Sequence, residues 1–210
     1  MNHAKGPWTS EETKLLKKLD MPAKVQEFLD SLKYDATKET RSPRRVLADK
    51  KAHCFSGAIF AAAALRFHGH PPLLMDLRAV RDDDHVLAVY RVDGHWGAIA
   101  KSNFTVLRYR EPVYKSLREL AMSYFDVYFN VNGEKTLREY SVPMDLARFD
   151  EDDWMTTEQD LLYLGKALDG VRHFRVINKM MEKSLAPVHT HLLQAGLIGA
   201  DPKGLFKPKF

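Results

Sequence analysis

The chain has 210 residues and a formal net charge of +4 at pH 7; 45% of its residues are hydrophobic and 29% are charged. This composition is typical of a folded globular protein and excludes an intrinsically disordered chain. The 32 basic and 28 acidic residues nearly cancel, so the charge does not predict nucleic-acid binding. Cys54 is the only cysteine, which excludes an intramolecular disulfide, a CxxC redox pair and a Cys-rich zinc finger.

Residues 1–50 are predicted to form two helices followed by a loop. Thr9 and Glu12 have the spacing of a capping box and predict the first helix, and Pro22 predicts the start of the second. The polar stretch from Tyr34 to Lys50 is predicted to be a loop, and a loop of this length in a compact domain commonly borders a functional site. Charges occur throughout this part of the chain, so we see no secretory signal and expect a cytoplasmic protein.

Residues 51–150 are predicted to form the core. The apolar, alanine-rich stretch from Cys54 to His68 predicts a helix that ends at Gly69. Its longest apolar run, Ala58 to Leu65, is far shorter than the ~20 residues that span a bilayer, so no membrane partner is expected. A buried strand is predicted to follow at Leu73–Val80.

A hairpin is predicted next, because Asp93-Gly94 is a strong signal for a two-residue turn between the strands His85–Val92 and His95–Ser102. Such a turn makes Val92 face His95. The same register continued along both strands places His85 opposite Ser102.

A third strand is predicted over Phe104–Arg110, an amphipathic helix over Val113–Phe129 and a further short strand over Thr136–Val142. Residues 151–210 are predicted to form a C-terminal helical region. Within the last of these, Thr156 or Thr157 is expected to cap a helix that runs to Leu168. The predicted fold is therefore α+β in one globular unit: an antiparallel sheet packed on the central Cys54 helix, with helical additions at both ends.

Cys54 is a candidate nucleophile because it begins a helix. The helix dipole and the unpaired N–H groups at that position favour a thiolate and can bind an oxyanion. A thiol nucleophile requires a base nearby in space, and His85 is the candidate because it begins a strand directly after the acidic turn Asp82–Asp84.

This arrangement resembles the transglutaminase-like branch of the papain-like cysteine enzymes. The resemblance is carried by AHCFSGAIFAAAALRFHG, PPLLMDLRAV and DDDHVLAVYRVDGHWGAIAKSN, all within Lys51–Phe104, about a quarter of the chain. Cys54, His85 and Trp96 match the family's nucleophile, its base and the Trp that precedes its third, acidic residue. The resemblance implies a cysteine hydrolase or acyltransferase that acts on a peptide, a protein or a small amide, with no metal or cofactor.

The third catalytic residue departs from the family pattern, since Ala100 stands where the family has Asp. Two candidates remain for orienting the imidazole: Asn103, whose amide oxygen accepts from an imidazole N–H, and Ser102, which the hairpin register places opposite His85. Ala100 also favours the alternative of a non-catalytic binding or scaffold protein on the same fold. In that alternative the C-terminal helices serve a protein partner.

A cleft is expected beside Cys54. The loop Tyr34–Lys51 leads into the Cys54 helix and the turn Arg81–Asp84 leads into the His85 strand, so the two segments are expected to form opposite walls. Arg44 and Arg45 are expected to lie at the rim and to lower the pKa of the thiol.

Overall fold

A computed structural model describes residues 7–206. The helices in this part of the chain are α1 (Ser10–Lys18), α2 (Pro22–Ser31), α3 (Pro43–Asp49), α4 (Cys54–Phe67), α5 (Leu117–Phe125), α6 (Leu162–Asp169), α7 (Lys179–Lys183) and α8 (Thr190–Gly196). The strands are β1 (Lys33–Tyr34), β2 (Lys51–Ala52), β3 (Leu73–Ala79), β4 (His85–Val92), β5 (His95–Ile99), β6 (Arg110–Tyr114), β7 (Leu137–Ser141), β8 (Met144–Asp145) and β9 (His173–Arg175). Short 3-10 helices cover Leu146–Asp152 and Pro202–Gly204.

The main sheet is antiparallel throughout, with the strand order β6-β5-β4-β3-β7-β9 and with β8 paired to β3. Helices pack on it, so the predicted α+β class with an antiparallel sheet is confirmed, and the strand predicted over Thr136–Val142 is present as β7. The two short strands β1 and β2 form a separate parallel pair.

The predicted hairpin is present with the predicted register. Val92 pairs with His95 and Val89 with Ala98, and both turn residues, Asp93 and Gly94, have the positive φ angles that a two-residue turn requires (48° and 81°). The pairing ends at Ala88 and Ile99, however, because β5 ends there. His85 and Ser102 are therefore not strand partners.

Helix α4 is the centre of the fold. It is buried at every position from Ser56 to Leu65, as expected for a helix that is apolar on all sides. It ends as predicted, with Gly69 at a positive φ of 91°. Successive β4 residues alternate between two hydrophobic clusters: Val86 and Ala88 pack with α4 on one face of the sheet, and Leu87 packs with α5 on the other.

The stretch Tyr34–Lys50 is not the plain loop that was predicted, because it contains α3. Ser42 caps this helix by accepting a hydrogen bond from the Arg45 N–H, and Pro43 occupies its first turn. Ser followed by Pro is a helix-start signal, so the sequence contained the information that was needed to find α3.

The strand predicted over Phe104–Arg110 is wrong, and so is the predicted start of the following helix at Val113. Residues 104–107 form a turn, in which the Thr105 N–H donates to Gly196 O (2.9 Å). Strand β6 instead pairs with β5 and includes Val113, so α5 begins only at Leu117, where Ser116 caps it.

The C-terminal region differs from the helical addition that was predicted. Helix α6 begins at Leu162 and not at Thr156 or Thr157, because Leu161 N–H donates to Thr40 O (3.0 Å) and holds the preceding residues out of the helix. The described part of this region, residues 151–206, also supplies β9, which extends the main sheet beside β7.

Candidate functional site

A cavity of about 400 Å³ lies at the N-terminal end of α4, and all four candidate residues line it: Cys54, His85, Ser102 and Asn103. Four further segments contribute to its walls, namely Tyr34–Lys38, Asp82–Asp84, Tyr128–Phe129 and Lys203–Phe206. The expectation that the loop before α4 and the turn before β4 line a common cleft is confirmed. Trp96 lies elsewhere on β5, 5.2 Å beneath the guanidinium of Arg91, and does not line the cavity.

The first turn of α4 is capped by a histidine side chain. The Nδ1 atom of His53 accepts hydrogen bonds from the N–H groups of Phe55 (3.1 Å) and Ser56 (3.4 Å), and its Nε2 donates to Glu39 O (2.9 Å). The Gly57 N–H is bonded to His53 O (2.9 Å). Within residues 7–206, the N–H of Cys54 therefore remains as the unpaired donor of this first turn.

The thiol of Cys54 lies against the main chain on both sides of His85. Its Sγ is 3.9 Å from the carbonyl oxygen of Asp84, and the N–H of Val86 donates to the sulfur. Burial raises the pKa of the thiol to about 11, the Val86 N–H opposes this shift, and the charge of Asp83 adds to it. The resting side chain is a protonated thiol and not the thiolate that the helix start predicted, because desolvation outweighs the field of the helix.

His85 is almost completely buried, with 4% of its surface exposed. Its Nε2 lies 2.8 Å from the carbonyl oxygen of Leu107, and since a carbonyl only accepts, Nε2 carries the proton. Burial lowers the pKa of His85 to about 4, so the ring is neutral at pH 7 and its Nδ1 keeps a lone pair. No hydrogen bond links this Nδ1 to the thiol or to any other group in residues 7–206. His85 is thus an unprotonated base beside the cavity.

Neither predicted orienting residue holds the imidazole. Ser102 Oγ accepts from the N–H of Phe104 (3.0 Å). The amide of Asn103 makes a pair of hydrogen bonds with the main chain of Asp201, at 2.9 and 2.8 Å. The Leu107 carbonyl oxygen instead accepts the hydrogen bond from the imidazole. Sequence reasoning missed it because a main-chain acceptor has no residue-type signal.

The acidic turn, Asp82–Asp84, carries carboxylates without cationic partners. No Lys, Arg or His nitrogen of the described residues forms an ion pair with any of the three. Asp82 accepts from the hydroxyl of Thr136 (2.7 Å) and Asp84 from the N–H of Ala79 (2.8 Å). Burial raises the pKa of Asp82 to about 6 and shifts those of Asp83 and Asp84 in the same direction. This side of the cavity is negatively charged.

The basic rim that was expected beside Cys54 is absent from the cavity. Arg44 donates to the carboxylate of Glu12 (2.8 Å), and Arg45 pairs with Glu39 (2.7 Å). Neither arginine lines the cavity. The expectation is wrong because α3 turns both side chains toward acidic partners on neighbouring segments.

Two parts of the cavity wall, Tyr128–Phe129 and Lys203–Phe206, escaped sequence reasoning. The C-terminal segment is anchored because Asn103 bonds the main chain of Asp201, and Gly204 packs on the ring of Tyr34. Contacts between residues far apart in sequence bring both segments to the cavity.

No protein-family model matches this chain, and neither does any curated protein. Across residues 7–206, no group of three or more His, Cys, Asp or Glu side chains is arranged to hold a metal ion. No helix in the same range combines the length and the apolar character required to cross a bilayer.

Proposed function

We propose that this protein is a cysteine hydrolase or acyltransferase that acts on an acyl or amide bond, with Cys54 as the nucleophile and His85 as the base. One observation carries the proposal: the thiol lies against the main chain that flanks His85, in a cavity that the imidazole also lines. The resemblance to transglutaminase-like enzymes is consistent with this pairing. The proposed location is the cytoplasm.

In the proposed reaction the thiol proton moves to Nδ1 of His85 while Sγ bonds to the carbonyl carbon of the substrate. The carbonyl electron pair moves onto oxygen. When the intermediate collapses, the C–N or C–O bond breaks and the leaving group takes the proton from the imidazolium. Water or an amine then attacks the thioester and returns the thiol. Because the resting thiol and imidazole are both neutral, proton transfer accompanies the attack.

The substrate is proposed to be a peptide, a protein side chain or a small amide. A cavity of about 400 Å³ accommodates one side chain or a small molecule. The exposed carboxylates of Asp83 and Asp84 share the cavity lining with the exposed lysines Lys38 and Lys203. Because the charges nearly balance, the lining does not select a substrate by its net charge.

The test uses p-nitrophenyl acetate, an activated ester that acylates reactive thiols. We expect a burst of p-nitrophenol and one acetyl group on Cys54, detected by mass spectrometry. The Cys54→Ala variant should show no burst, and His85→Gln should acylate about 10²-fold or more slowly, as expected for loss of a general base. The proposal would be contradicted if the wild type were acylated no faster than free cysteine when the two rates are compared at the same fraction of ionised thiol.

A non-catalytic binding or scaffold protein is the second candidate. It is favoured by the raised pKa of the thiol, the lowered pKa of His85 and the engagement of Asn103 with Asp201. In this alternative Cys54 reacts slowly with every electrophile, and His85→Gln leaves that rate unchanged. The His85→Gln comparison therefore separates the two candidates.

A further inference from the structure

Tyr34 is held beside the start of α4 by main-chain pairing. It is the β1 partner of Ala52 in β2, two residues before Cys54, and the next residue, Asp35, donates its N–H to Ala52 O (3.1 Å). Because β1 and β2 run in parallel, the residues that follow both strands enter the same cavity. Tyr34 and Cys54 both line it.

The ring of Tyr34 is fixed, yet its hydroxyl has no hydrogen-bond partner within residues 7–206. A Cβ atom on Gly204 would lie 2.5 Å from Cε1 of the ring, so the C-terminal segment packs directly on it. The two hydrogen bonds between Asn103 and Asp201 hold that segment in place. Burial raises the pKa of Tyr34, and Cys54 and Asp83 add to the shift, so the hydroxyl keeps its proton and is a donor at neutral pH.

Two other polar side chains of the cavity wall, Tyr128 and Asn103, are already engaged. The hydroxyl of Tyr128 donates to Asp83 O (2.8 Å), and the amide of Asn103 donates to Asp201 O (2.9 Å). The His53 ring occupies the Phe55 and Ser56 N–H groups, which leaves the Cys54 N–H unpaired. An oxyanion formed at Cys54 needs pre-positioned donors of this kind.

We infer that the Tyr34 hydroxyl and the Cys54 N–H together form the oxyanion hole of this site, which makes Tyr34 a catalytic residue. This inference rests on the proposed function. As Sγ bonds to the carbonyl carbon and the thiol proton moves to His85, the carbonyl oxygen gains the π electron pair. Tyr34 donates a hydrogen bond to that oxygen and keeps its proton through the step.

Two electrophiles test this role because only one of them produces an oxyanion. p-Nitrophenyl acetate acylates the thiol through a tetrahedral oxyanion, whereas iodoacetamide alkylates it by displacement at a saturated carbon. We expect Tyr34→Phe to slow acylation of Cys54 about 10²-fold or more and to change alkylation by less than about two-fold. Tyr114→Phe, the same chemical change on β6 outside the cavity, should alter neither rate.

The outcomes are distinct. If Tyr34→Phe slows both reactions equally, Tyr34 acts on the thiol itself. If the acylation rate is unchanged, Tyr34 has no catalytic role. Either result overturns the inference, while the proposed function stands. If the wild type itself is not acylated faster than free cysteine, the proposed function fails and the oxyanion hole fails with it. A thermal unfolding midpoint unchanged in Tyr34→Phe would confirm that the effect is not structural.

Discussion

The two walls of the cavity differ in whether their carboxylates form ion pairs. One wall, Tyr34–Lys38, includes Asp35, whose buried carboxylate pairs with the buried Arg41 behind the cavity lining. Arg41 also pairs with Asp49 (2.7 Å) and Glu39 (2.8 Å), and these ion pairs form the Arg41 network. The opposite wall is the acidic turn, in which the carboxylates of Asp82 and Asp84 accept hydrogen bonds and none of the three carboxylates forms an ion pair among the described residues. The first wall has its charge neutralised inside the protein, and the second presents its charge to the cavity.

This contrast indicates which wall is structural. A buried ion pair stabilises only while both partners remain, so the Arg41 network holds the chain between α2 and α4 in one conformation. The Arg41 N–H also donates to Ser56 Oγ in the first turn of α4 (2.9 Å). The acidic turn adjoins His85, and its uncompensated charge disfavours ionisation of the neighbouring thiol. The paired charges of the Arg41 network thus stabilise the fold beside α4, and the carboxylates of the acidic turn, which form no ion pair, act on the ionisation of the thiol.

The largest effect is expected for Arg41→Met, which leaves the buried carboxylate of Asp35 without its cation. We expect a loss of about 3–5 kcal/mol in the free energy of unfolding, measured by urea denaturation. Lys24→Met is the control, because it removes an exposed ion pair with Asp20 and should change the free energy of unfolding far less. A loss in Arg41→Met no larger than in the control would show that the network does not hold this wall.

A second test uses the pH dependence of stability through His85. The unfolded imidazole titrates near pH 6.5 and the folded one near 4, so the unfolded state binds more protons between these values and stability falls as the pH falls. We expect the wild type to lose about 3 kcal/mol relative to His85→Gln from pH 7 to pH 4. If the two proteins lose stability in parallel, the imidazole titrates in the folded protein as it does in the unfolded chain, and burial does not lower its pKa.

The smallest effect is expected for Asp82→Asn. The folded pKa of Asp82, about 6, lies above its ordinary value of 3.8, so its ionised form costs stability above pH 6 and this cost disappears as the pH falls below about 4. A pKa difference of about two units corresponds to about 3 kcal/mol at pH 7. Because Asp82 is only partly buried, solvent screens part of this cost, and we expect Asp82→Asn to stabilise the protein by about 1 kcal/mol at pH 7 and not at pH 4, measured by urea unfolding. The exposed substitution Glu151→Gln is the control and should show no such pH dependence. Destabilisation at pH 7 would mean that the carboxylate is compensated.

Local signals in the sequence determined the central part of the fold. The run of apolar residues and Gly69 specify α4 and its end, and Asp93-Gly94 specifies the hairpin and its register, because caps and tight turns depend on residues a few positions apart. The same signals brought Cys54 and His85 to one cavity. Ser42-Pro43 is a local signal of the same kind, because it specifies the start of α3.

Only the tertiary structure decided the chemical state of the site. The pKa values of Cys54 and His85 depend on burial by groups distant in sequence, and the acceptor for His85 is the main-chain oxygen of Leu107, which any residue type would supply. The amide of Asn103 has the chemistry to orient an imidazole, but Asp201, 98 residues further along the chain, occupies it. Desolvation and hydrogen-bond competition depend on which segments are in contact in the folded protein, and these tertiary contacts cannot be read from a single sequence.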